Sequence, residues 1–190
     1  MSTTTAPVLV DLLPKSRVKD AALIVGGAAM LAVASQVLIP LPFTPVPLSL
    51  ATFAVLLIGA SLGPVRAGLS IGLYALVGVV GVPVFAGFSS GWGGASFGYI
   101  IGYLAAAVVV GELARRGADR SFLGTFAAAA MGSLVVYAFG VPWLMVSTGV
   151  GFGQALAMGV APFFIGDTVK ALAASGLLPV TWKVIGNAAR

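Results

Sequence analysis

An acid and a base stand three residues apart in the apolar segment APFFIGDTVKALAASG, and they are its only charged residues. Residues three apart share one face of a helix, so Asp167 and Lys170 would point the same way. An ionised carboxylate offers only hydrogen-bond acceptors, and an ammonium group offers only donors. The pair could therefore bind a ligand edge that carries N–H and C=O side by side, as a cyclic urea or an amide does. Alternatively, the two charges satisfy each other or extend towards water.

The composition of the whole chain is that of an integral membrane protein. Of its 190 residues, 59% are hydrophobic and 8% are charged, and the mean hydropathy is +1.11. Soluble domains are about 25% charged. At roughly 20 residues per crossing, about six helices fit with short connections. We therefore expect an all-α integral membrane protein with a single membrane domain over residues 1–190: an N-terminal segment over about 1–20 and a bundle of six transmembrane helices over about 21–186.

Six apolar runs mark the expected helices. Their approximate ranges are 21–39, 50–62, 67–80, 99–114, 122–143 and 162–185. A shorter apolar stretch, residues 154–160, precedes the last run, and we interpret it as a short surface or re-entrant helix. Pro162 then lies at the start of the sixth span, where its missing N–H costs no hydrogen bond.

Basic residues occur at every second connection between these helices. They lie before the first helix, between the second and third, between the fourth and fifth, and towards the C-terminus: Lys15, Arg17, Lys19, Arg66, Arg115, Arg116, Arg120, Lys183 and Arg190. Because cytoplasmic loops are enriched in lysine and arginine, both termini are predicted to be cytoplasmic. The proline-rich loop after the first helix and the glycine-rich loop after the third then face outward. This topology accounts for the net charge of +5, which therefore does not indicate nucleic-acid binding.

Asp167 and Lys170 are the charges that this topology leaves within the membrane. If the sixth helix begins near Pro162, Asp167 lies only about 7 Å along it, beneath the outer loops. Charges at membrane depth cost on the order of a few kcal/mol each, and they usually serve function. The depth therefore favours a polar pair that lines a ligand pocket open to the outside.

The glycine-rich loop, GVPVFAGFSSGWGGASFGY, has the composition of a pocket wall. Glycine lets a backbone approach a ligand closely, and aromatic rings supply apolar walls. A flexible connector with aromatic rings at the lipid interface would have the same composition. Tyr74 and Tyr137, in the third and fifth helices, are equally compatible with an interface belt and with a pocket.

Small residues recur at four-residue spacing in the first helix, as Ala22 and Gly26 and as Ala28 and Ala32. This spacing lets helices pack closely. Packing within the bundle is the simpler interpretation from the sequence alone, and a partner membrane protein is the alternative.

The residue inventory excludes the commonest kinds of catalytic site. The chain has no histidine and no cysteine, so neither a Ser–His pair nor a cysteine nucleophile can form. One isolated membrane carboxylate also makes a poor acid–base pair. We therefore expect that the protein is not an enzyme.

Between Val33 and Leu178 the chain contains, in order, the stretches TPVPLSLATFAVLLIGASLGP, GLYALVGVVGVPVFAG, GGASFGYIIGYLAA and ALAMGVAPFFIGDTVKALAA. Their order and spacing resemble the BioY family, the biotin-specific S component of energy-coupling factor (ECF) transporters. The resemblance implies a six-helix module without cofactors that binds biotin near the outer face of the bacterial cytoplasmic (inner) membrane. It also implies docking on a transmembrane coupling subunit of the EcfT or BioN type, driven by two cytoplasmic ATPases of the EcfA or BioM type. Some members are thought to work without that machinery.

The resemblance also assigns roles to residues. Asp167 would accept hydrogen bonds from the ureido N–H groups of biotin, and Lys170 would donate to the ureido oxygen. Further positions match motif residues that would line the pocket: Thr52, Tyr74, Val84, Phe85, Ala86, Gly87, Gly94, Ser96, Tyr99 and Tyr137. The small residues Ala22, Gly26, Ala28 and Ala32 match the surface that such components present to the coupling subunit.

Two positions depart from the family pattern, and one expected charge is missing. Ala51 stands where the family often has glutamine, and Phe97 adds bulk in the motif GASFGY. No outer loop carries a lysine or an arginine, so the carboxylate of biotin would meet backbone N–H groups, water, or hydroxyls such as Ser89, Ser90 or Ser96.

Other functions remain open at this point. A proton- or ion-coupled carrier would use Asp167 as its titrating group, and a solitary carrier would take biotin or another small vitamin. One acid paired with a lysine is a weak proton relay, and the sequence shows no inverted repeat. A purely structural subunit would leave the cost of burying the Asp167–Lys170 pair unexplained.

Overall fold

The computed structural model describes residues 7–12, 14 and 16–188, the last three of them by their backbone alone; Lys15 and Arg190 lie outside this range. Its helices are α1 (Arg17–Gln36), α2 (Ala51–Val79), α3 (Phe97–Arg115), α4 (Phe122–Thr148), α5 (Phe152–Gly159) and α6 (Phe163–Ala188). Two short antiparallel strands, β1 (Leu38–Ile39) and β2 (Leu48–Ser49), pair Leu38 with Ser49 and enclose the proline-rich loop. Single 3₁₀ turns occur at Leu9–Leu12, Ala86–Phe88 and Ala118–Arg120.

The chain reverses direction within α2, at Gly63. This glycine has φ 76° and ψ 174°, a backbone conformation that a side chain would strain. The contacts with α3 follow the reversal in order: Gly59 faces Val110, Pro64 faces Gly111, Gly68 faces Val108 and Gly72 faces Leu104. Residues 51–62 and 64–79 therefore form two antiparallel arms, which correspond to the second and third predicted helices.

Five helices of the described chain are long and apolar enough to cross a membrane: Arg17–Gln36, Ala51–Val79, Phe97–Arg115, Phe122–Thr148 and Phe163–Ile185. The expected helical bundle is present, but this count differs from the six predicted spans. The difference lies in α2, which this count takes as one span although its two arms run antiparallel on either side of Gly63. Each arm is shorter than the roughly 20 residues of an ordinary span. Six crossings and cytoplasmic termini remain predictions.

The segment between the last two long helices matches its prediction. α5 is short and ends at Gly159, and α6 begins directly after Pro162. α4 continues past its predicted end at residue 143 and reaches Thr148. Gly149, in the left-handed conformation with φ 74°, ends α4 and donates its N–H to the carbonyl of Met145.

Glycines allow α3 to pack tightly against α4. A Cβ on Gly102 would lie 2.8 Å from the Cα of Val136, and one on Gly98 would lie 2.8 Å from the carbonyl oxygen of Phe139. Neither position has room for a larger residue. α3 is thereby held between α2 and α4, and its side chains Tyr99 and Tyr103 face the interior near the loop end of the bundle.

Basic residues gather at the opposite end of the bundle, which we call the basic end. Arg66 pairs with Asp11 at 3.0 Å and with Asp20 at 2.8 Å, so the reversal in α2 is fastened to the N-terminal segment. Arg120 donates to the carbonyl oxygen of Pro7 at 3.1 Å. This arrangement agrees with the prediction that Arg66 and Arg120 lie on the same side of the bundle as the N-terminal segment.

The small residues of α1 do not all face outward. Ala22 and Gly26 are exposed, Ala32 is half-buried, and Ala28 is buried within the bundle core. The close approach of α1 to α2 is made instead by Gly27, where a Cβ would lie 2.6 Å from Ser70 Oγ. Ala22 and Gly26 are thus the members of the set most available to a partner.

Candidate functional site

A cluster of four polar side chains, Thr52, Tyr137, Asp167 and Lys170, joins three helices near the loop end; we call it the polar cluster. Lys170 Nζ donates to Asp167 Oδ1 at 3.1 Å and to Thr52 Oγ1 at 2.7 Å. The Thr52 hydroxyl in turn donates to Asp167 Oδ1 at 3.3 Å. The Tyr137 hydroxyl donates to Asp167 Oδ2 in a short hydrogen bond. The carboxylate therefore accepts from three groups and is paired with a cation, as buried charges require.

Sequence spacing and tertiary structure both contribute to this cluster. Asp167 and Lys170 share a face of α6, whereas Thr52 comes from the first turn of α2 and Tyr137 from α4. The side chains of Lys170 and Asp167 are 10% and 11% exposed. The two charges do satisfy each other, which was one of the alternatives from the sequence. They also border a cavity, as the alternative of a ligand-binding pair requires.

The polar cluster retains hydrogen-bonding capacity for a ligand. An ammonium group has three donors, and two of those on Lys170 have acceptors in the described part of the chain. Asp167 Oδ2 accepts from Tyr137 and has a second lone pair. One donor and one acceptor, on neighbouring groups, form the complement of a urea or amide edge.

Two adjoining cavities lie at this end of the bundle. The smaller, about 20 Å³, is bordered by all four members of the polar cluster. The larger, about 430 Å³, lies between the proline-rich loop and the glycine-rich loop. Its volume falls within the roughly 300–1,000 Å³ of small-molecule sites. The two cavities share five wall residues, which we call the shared wall: Val46, Pro47, Ser49, Tyr99 and Tyr103.

Aromatic rings form much of the apolar surface of the larger cavity. Tyr74 and Phe85 meet edge to face with ring centroids 5.2 Å apart. Phe97, which also lines the cavity, packs edge on against Trp143 at 5.4 Å. The Tyr74 hydroxyl donates to Ser35 Oγ at 2.9 Å, because the single hydroxyl hydrogen of Ser35 is donated to the carbonyl of Leu31.

Gln36, the last residue of α1, holds the glycine-rich loop in place. Its Nε2 donates to the carbonyl oxygens of Val84 at 3.0 Å and Phe85 at 3.1 Å. Its Oε1 accepts from the backbone N–H of Phe88 at 3.0 Å. The backbone turns sharply here, since Gly87 and Phe88 both have positive φ, 68° and 56°. One side chain therefore fixes the bend that forms a wall of the larger cavity.

Apart from Val84, which is not among the described residues that line either cavity, the site residues predicted from the sequence divide between the two cavities. Thr52, Tyr137, Asp167 and Lys170 border the smaller one. The residues that line the larger one are Tyr74, Phe85, Ala86, Gly87, Gly94 and Ser96. Tyr99 lines both, and its hydroxyl donates to the carbonyl of Gly159 at 2.9 Å. The two departures from the family pattern, Ala51 and Phe97, both face the larger cavity.

Sequence reasoning missed several residues of the site. Tyr103 carried a usable signal, because it follows Tyr99 by four residues and shares its helix face. Gln36 is a polar residue at the end of an apolar helix, but its partner Val84 lies 48 residues further along the chain. The position of Val46 and Pro47 between the cavities depends on how the proline-rich loop folds back, which local sequence does not specify.

The fold and the site define a multi-pass membrane protein with a cavity sized for a small molecule at one end of its helical bundle. More specifically, the chain belongs to the BioY family, whose sequence model matches residues 4–187. The resemblance seen in the sequence motifs is confirmed by this match.

Similar proteins from archaea and bacteria support the assignment. A protein of Pyrococcus horikoshii named probable biotin transporter BioY is 38% identical over 161 residues, which cover 83% of this chain and 93% of the relative. The putative biotin transporter BioYB of Bacillus subtilis is 34% identical over 186 residues, 92% of each chain. The biotin transporter BioY of Rhizobium etli is 32% identical over 147 residues, covering 72% of this chain and 78% of the relative.

A solved structure shares the fold. The crystal structure of the S-component for biotin from an ECF-type ABC transporter superposes with a TM-score of 0.78 at 24% identity, covering 90% of this chain and 95% of the other. At this identity the likeness establishes the fold. Because the relatives are named as transporters and the fold is that of a transporter component, the expectation that the protein is not an enzyme is confirmed.

Proposed function

We propose that this protein binds biotin and takes it up across the bacterial cytoplasmic membrane as the substrate-specific component of an ECF transporter. The observation that carries the proposal is the buried Asp167–Lys170 pair, which borders one cavity and adjoins a second of about 430 Å³. The names of the relatives supply biotin as the ligand, and the solved S-component supplies the transporter class.

In the proposed complex the ureido ring contacts both charges. Asp167 accepts from a ureido N–H through the free lone pair of Oδ2, and Lys170 gives its third N–H to the ureido oxygen. The ligand enters the larger cavity, and its ring reaches the polar cluster by displacing the shared wall at Val46 and Pro47. This displacement moves a loop rather than a helix, and it takes the buried side chain of Val46 out of the hydrophobic core.

Partner proteins would supply the membrane coupling and the ATP hydrolysis that transport requires. A transmembrane coupling subunit would dock on α1 around Ala22 and Gly26, which are exposed. The chain contains no GxxxxGK[ST] sequence, so ATP hydrolysis would be carried out by two cytoplasmic ATPases. Binding and uptake would need no cofactor, because the proposed contacts are hydrogen bonds and apolar packing alone.

The test begins with the chain purified in detergent, from cells grown with biotin. Mass spectrometry should find biotin in the preparation, and equilibrium binding should show saturation with one biotin per chain. Another vitamin in the preparation, with no saturable biotin binding, would keep the fold and overturn the substrate.

Uptake by cells separates the ECF mechanism from an ion-coupled carrier. Uptake should cease when cellular ATP is exhausted and should not respond to a protonophore while ATP is held constant. The opposite pattern, loss of uptake on collapsing the proton gradient at constant ATP, would contradict the ECF mechanism and favour Asp167 as a titrating carrier group.

A further inference from the structure

We propose that the site recognises the urea ring and leaves the charge of the ligand's tail unpaired, so that urea-headed ligands with a neutral amide tail bind about as well as the free acid. This inference rests on the proposed function and extends it to a class of ligands: acids and amides that share the same ring.

The cations of the chain are placed away from the larger cavity. No lysine, arginine or histidine occurs in residues 20–65, 67–114 or 121–169, which include every segment that lines it. The basic end, where Arg66 and Arg120 lie, is separated from the loops by the length of α3, 19 residues or roughly 28 Å. At that distance neither guanidinium group can contact a ligand in the larger cavity.

Lys170, the cation nearest the site, is already committed. Its ammonium group donates to Asp167 and Thr52. In the proposed complex its remaining donor contacts the ureido oxygen. A tail carboxylate that competed for Lys170 would leave Asp167 with an unpaired buried charge, which is strongly unfavourable.

The polar side chains that face the larger cavity between its loops are hydroxyls. Thr44 comes from the proline-rich loop, and Ser89, Ser90 and Ser96 come from the glycine-rich loop. A hydroxyl donates more strongly to a carboxylate than to an amide oxygen, but it can also accept from an amide N–H, which a carboxylate lacks. These groups therefore stabilise either kind of tail and discriminate little between them.

The mouth of the cavity also gives the tail access to water. Ser89 and Ser90 line the cavity and are exposed, as is Gly94 on the same loop. A carboxylate at this level keeps much of its hydration, so it needs no ion pair. A tail extended through an amide bond to an amine, such as the side-chain amine of lysine, would project through the same opening.

The test is a competition against labelled biotin on the purified full-length chain. Biotin, its primary amide and the amide of biotin with lysine should compete with affinities within about threefold of one another. Pentanoic acid, which has the carboxylate tail but no urea ring, should not compete. Since truncating one partner of a buried charge pair costs 2–5 kcal/mol, an amide that binds more than about thirtyfold more weakly than biotin would overturn the inference.

A variant can create the missing discrimination. Ser90→Lys places a cation at the mouth and should favour biotin over its amide by about two- to fivefold at low salt, an advantage that falls as salt is added. The matched control is Ser147→Lys. Ser147 is exposed and is not among the described residues that line the cavity, so this variant should leave the ratio of biotin affinity to amide affinity unchanged. An unchanged ratio in Ser90→Lys would place the tail elsewhere and overturn the inference.

The two proposals fail in different ways. Absence of biotin binding to the parent chain contradicts the proposed function itself. Saturable biotin binding with strong rejection of both amides leaves the proposed function standing and contradicts only the inference about the tail.

Discussion

Two carboxylates that are largely shielded from water, Asp167 and Asp119, lie towards opposite ends of the bundle and have different surroundings. Asp167 accepts from Lys170, Thr52 and Tyr137. Asp119 is 2% exposed and accepts from Trp182 Nε1 at 2.6 Å, while its Oδ1 has no hydrogen-bond partner in the described part of the chain. Trp182 lies roughly 22 Å further along α6 than Asp167.

This difference fits the proposed ligand-binding role of Asp167 and a structural role for Asp119. Asp167 has a paired charge, a remaining lone pair and a cavity beside it, so a ligand can replace or share its contacts. Asp119 joins the connection between α3 and α4 to α6, and Arg120 covers the same Trp182 ring at 4.6 Å. Burial raises the pKa of the Asp119 carboxyl, and the hydrogen bond from Trp182 opposes that rise. We expect substitution of Asp167, but not of Asp119, to weaken ligand binding.

The largest effect is expected for Lys170→Met. The change removes the cation from a buried pair and leaves Asp167 charged and mostly enclosed, which typically costs about 3–5 kcal/mol. Thermal unfolding in detergent should show a clearly lower melting temperature, and biotin binding should be lost. The double variant Asp167→Asn with Lys170→Met should recover part of the stability without the binding. If Lys170→Met melts at the same temperature as the parent chain, Asp167 and Lys170 do not form an ion pair.

Asp167→Asn should weaken ligand binding, and it should also lower stability because the enclosed Lys170 ammonium group loses its counter-charge. The amide is neutral and gives up one acceptor oxygen, so a charged hydrogen bond to the ureido ring is lost. We expect biotin to bind about tenfold to 150-fold more weakly, equivalent to roughly 1.5–3 kcal/mol. Isothermal titration of the purified variant measures this, and Asp119→Asn is the matched control. If Asp167→Asn and Asp119→Asn bind biotin with equal affinity, Asp167 does not contact the ureido ring.

Tyr137→Phe should have a smaller effect that falls mainly on stability. It removes one donor to Asp167 Oδ2 and keeps the ring that packs between α4 and α6. A net loss of about 1–2 kcal/mol in stability is expected, with biotin affinity reduced less than tenfold because Lys170 and Thr52 still hold the carboxylate. Parallel melting and titration experiments compare the two losses. A larger loss of affinity than in Asp167→Asn would make Tyr137 a direct ligand contact.

Asp119→Asn should have the smallest effect, and its sign should depend on pH. Because the pKa of Asp119 is raised on folding, the stability associated with its neutral form is present below the ordinary aspartate pKa of about 4 and is lost as the pH rises through the raised pKa. The permanently neutral asparagine can still accept from Trp182. The variant should therefore melt at the same temperature as the parent or a few degrees higher at pH 7, and this advantage should shrink towards pH 4. Strong destabilisation at pH 7 would show that the ionised carboxylate is needed.

Local sequence was sufficient for part of the site. The spacing of Asp167 and Lys170 places them on one face of α6 whatever the rest of the chain does, because helix geometry is local. The proline at position 162 and the apolar stretch before it predicted α5 and the start of α6 for the same reason. The acid–base pair and its position near the start of α6 were therefore predictable.

Other features required the fold. The order in which the two arms of α2 meet α3, with Gly59 facing Val110 and Gly72 facing Leu104, depends on the packing of whole helices. Thr52 and Tyr137 reached Asp167 from sequence separations of 115 and 30 residues. The exposure of Ala22 and the burial of Ala28 depend on which neighbours α1 meets.

The sequence by itself determined that the chain lies in a membrane, that the described basic residues other than Lys170 gather at one end, and that an acid and a base share a helix face. Apolar content, charge distribution and helical periodicity are properties of the chain read along its length. Only the tertiary structure decided that Tyr137 and Thr52 complete the polar cluster, that Gln36 holds the loop beside the larger cavity, and that the shared wall separates the charges from that cavity. Those contacts join residues far apart in sequence, and their formation depends on the packing of whole helices.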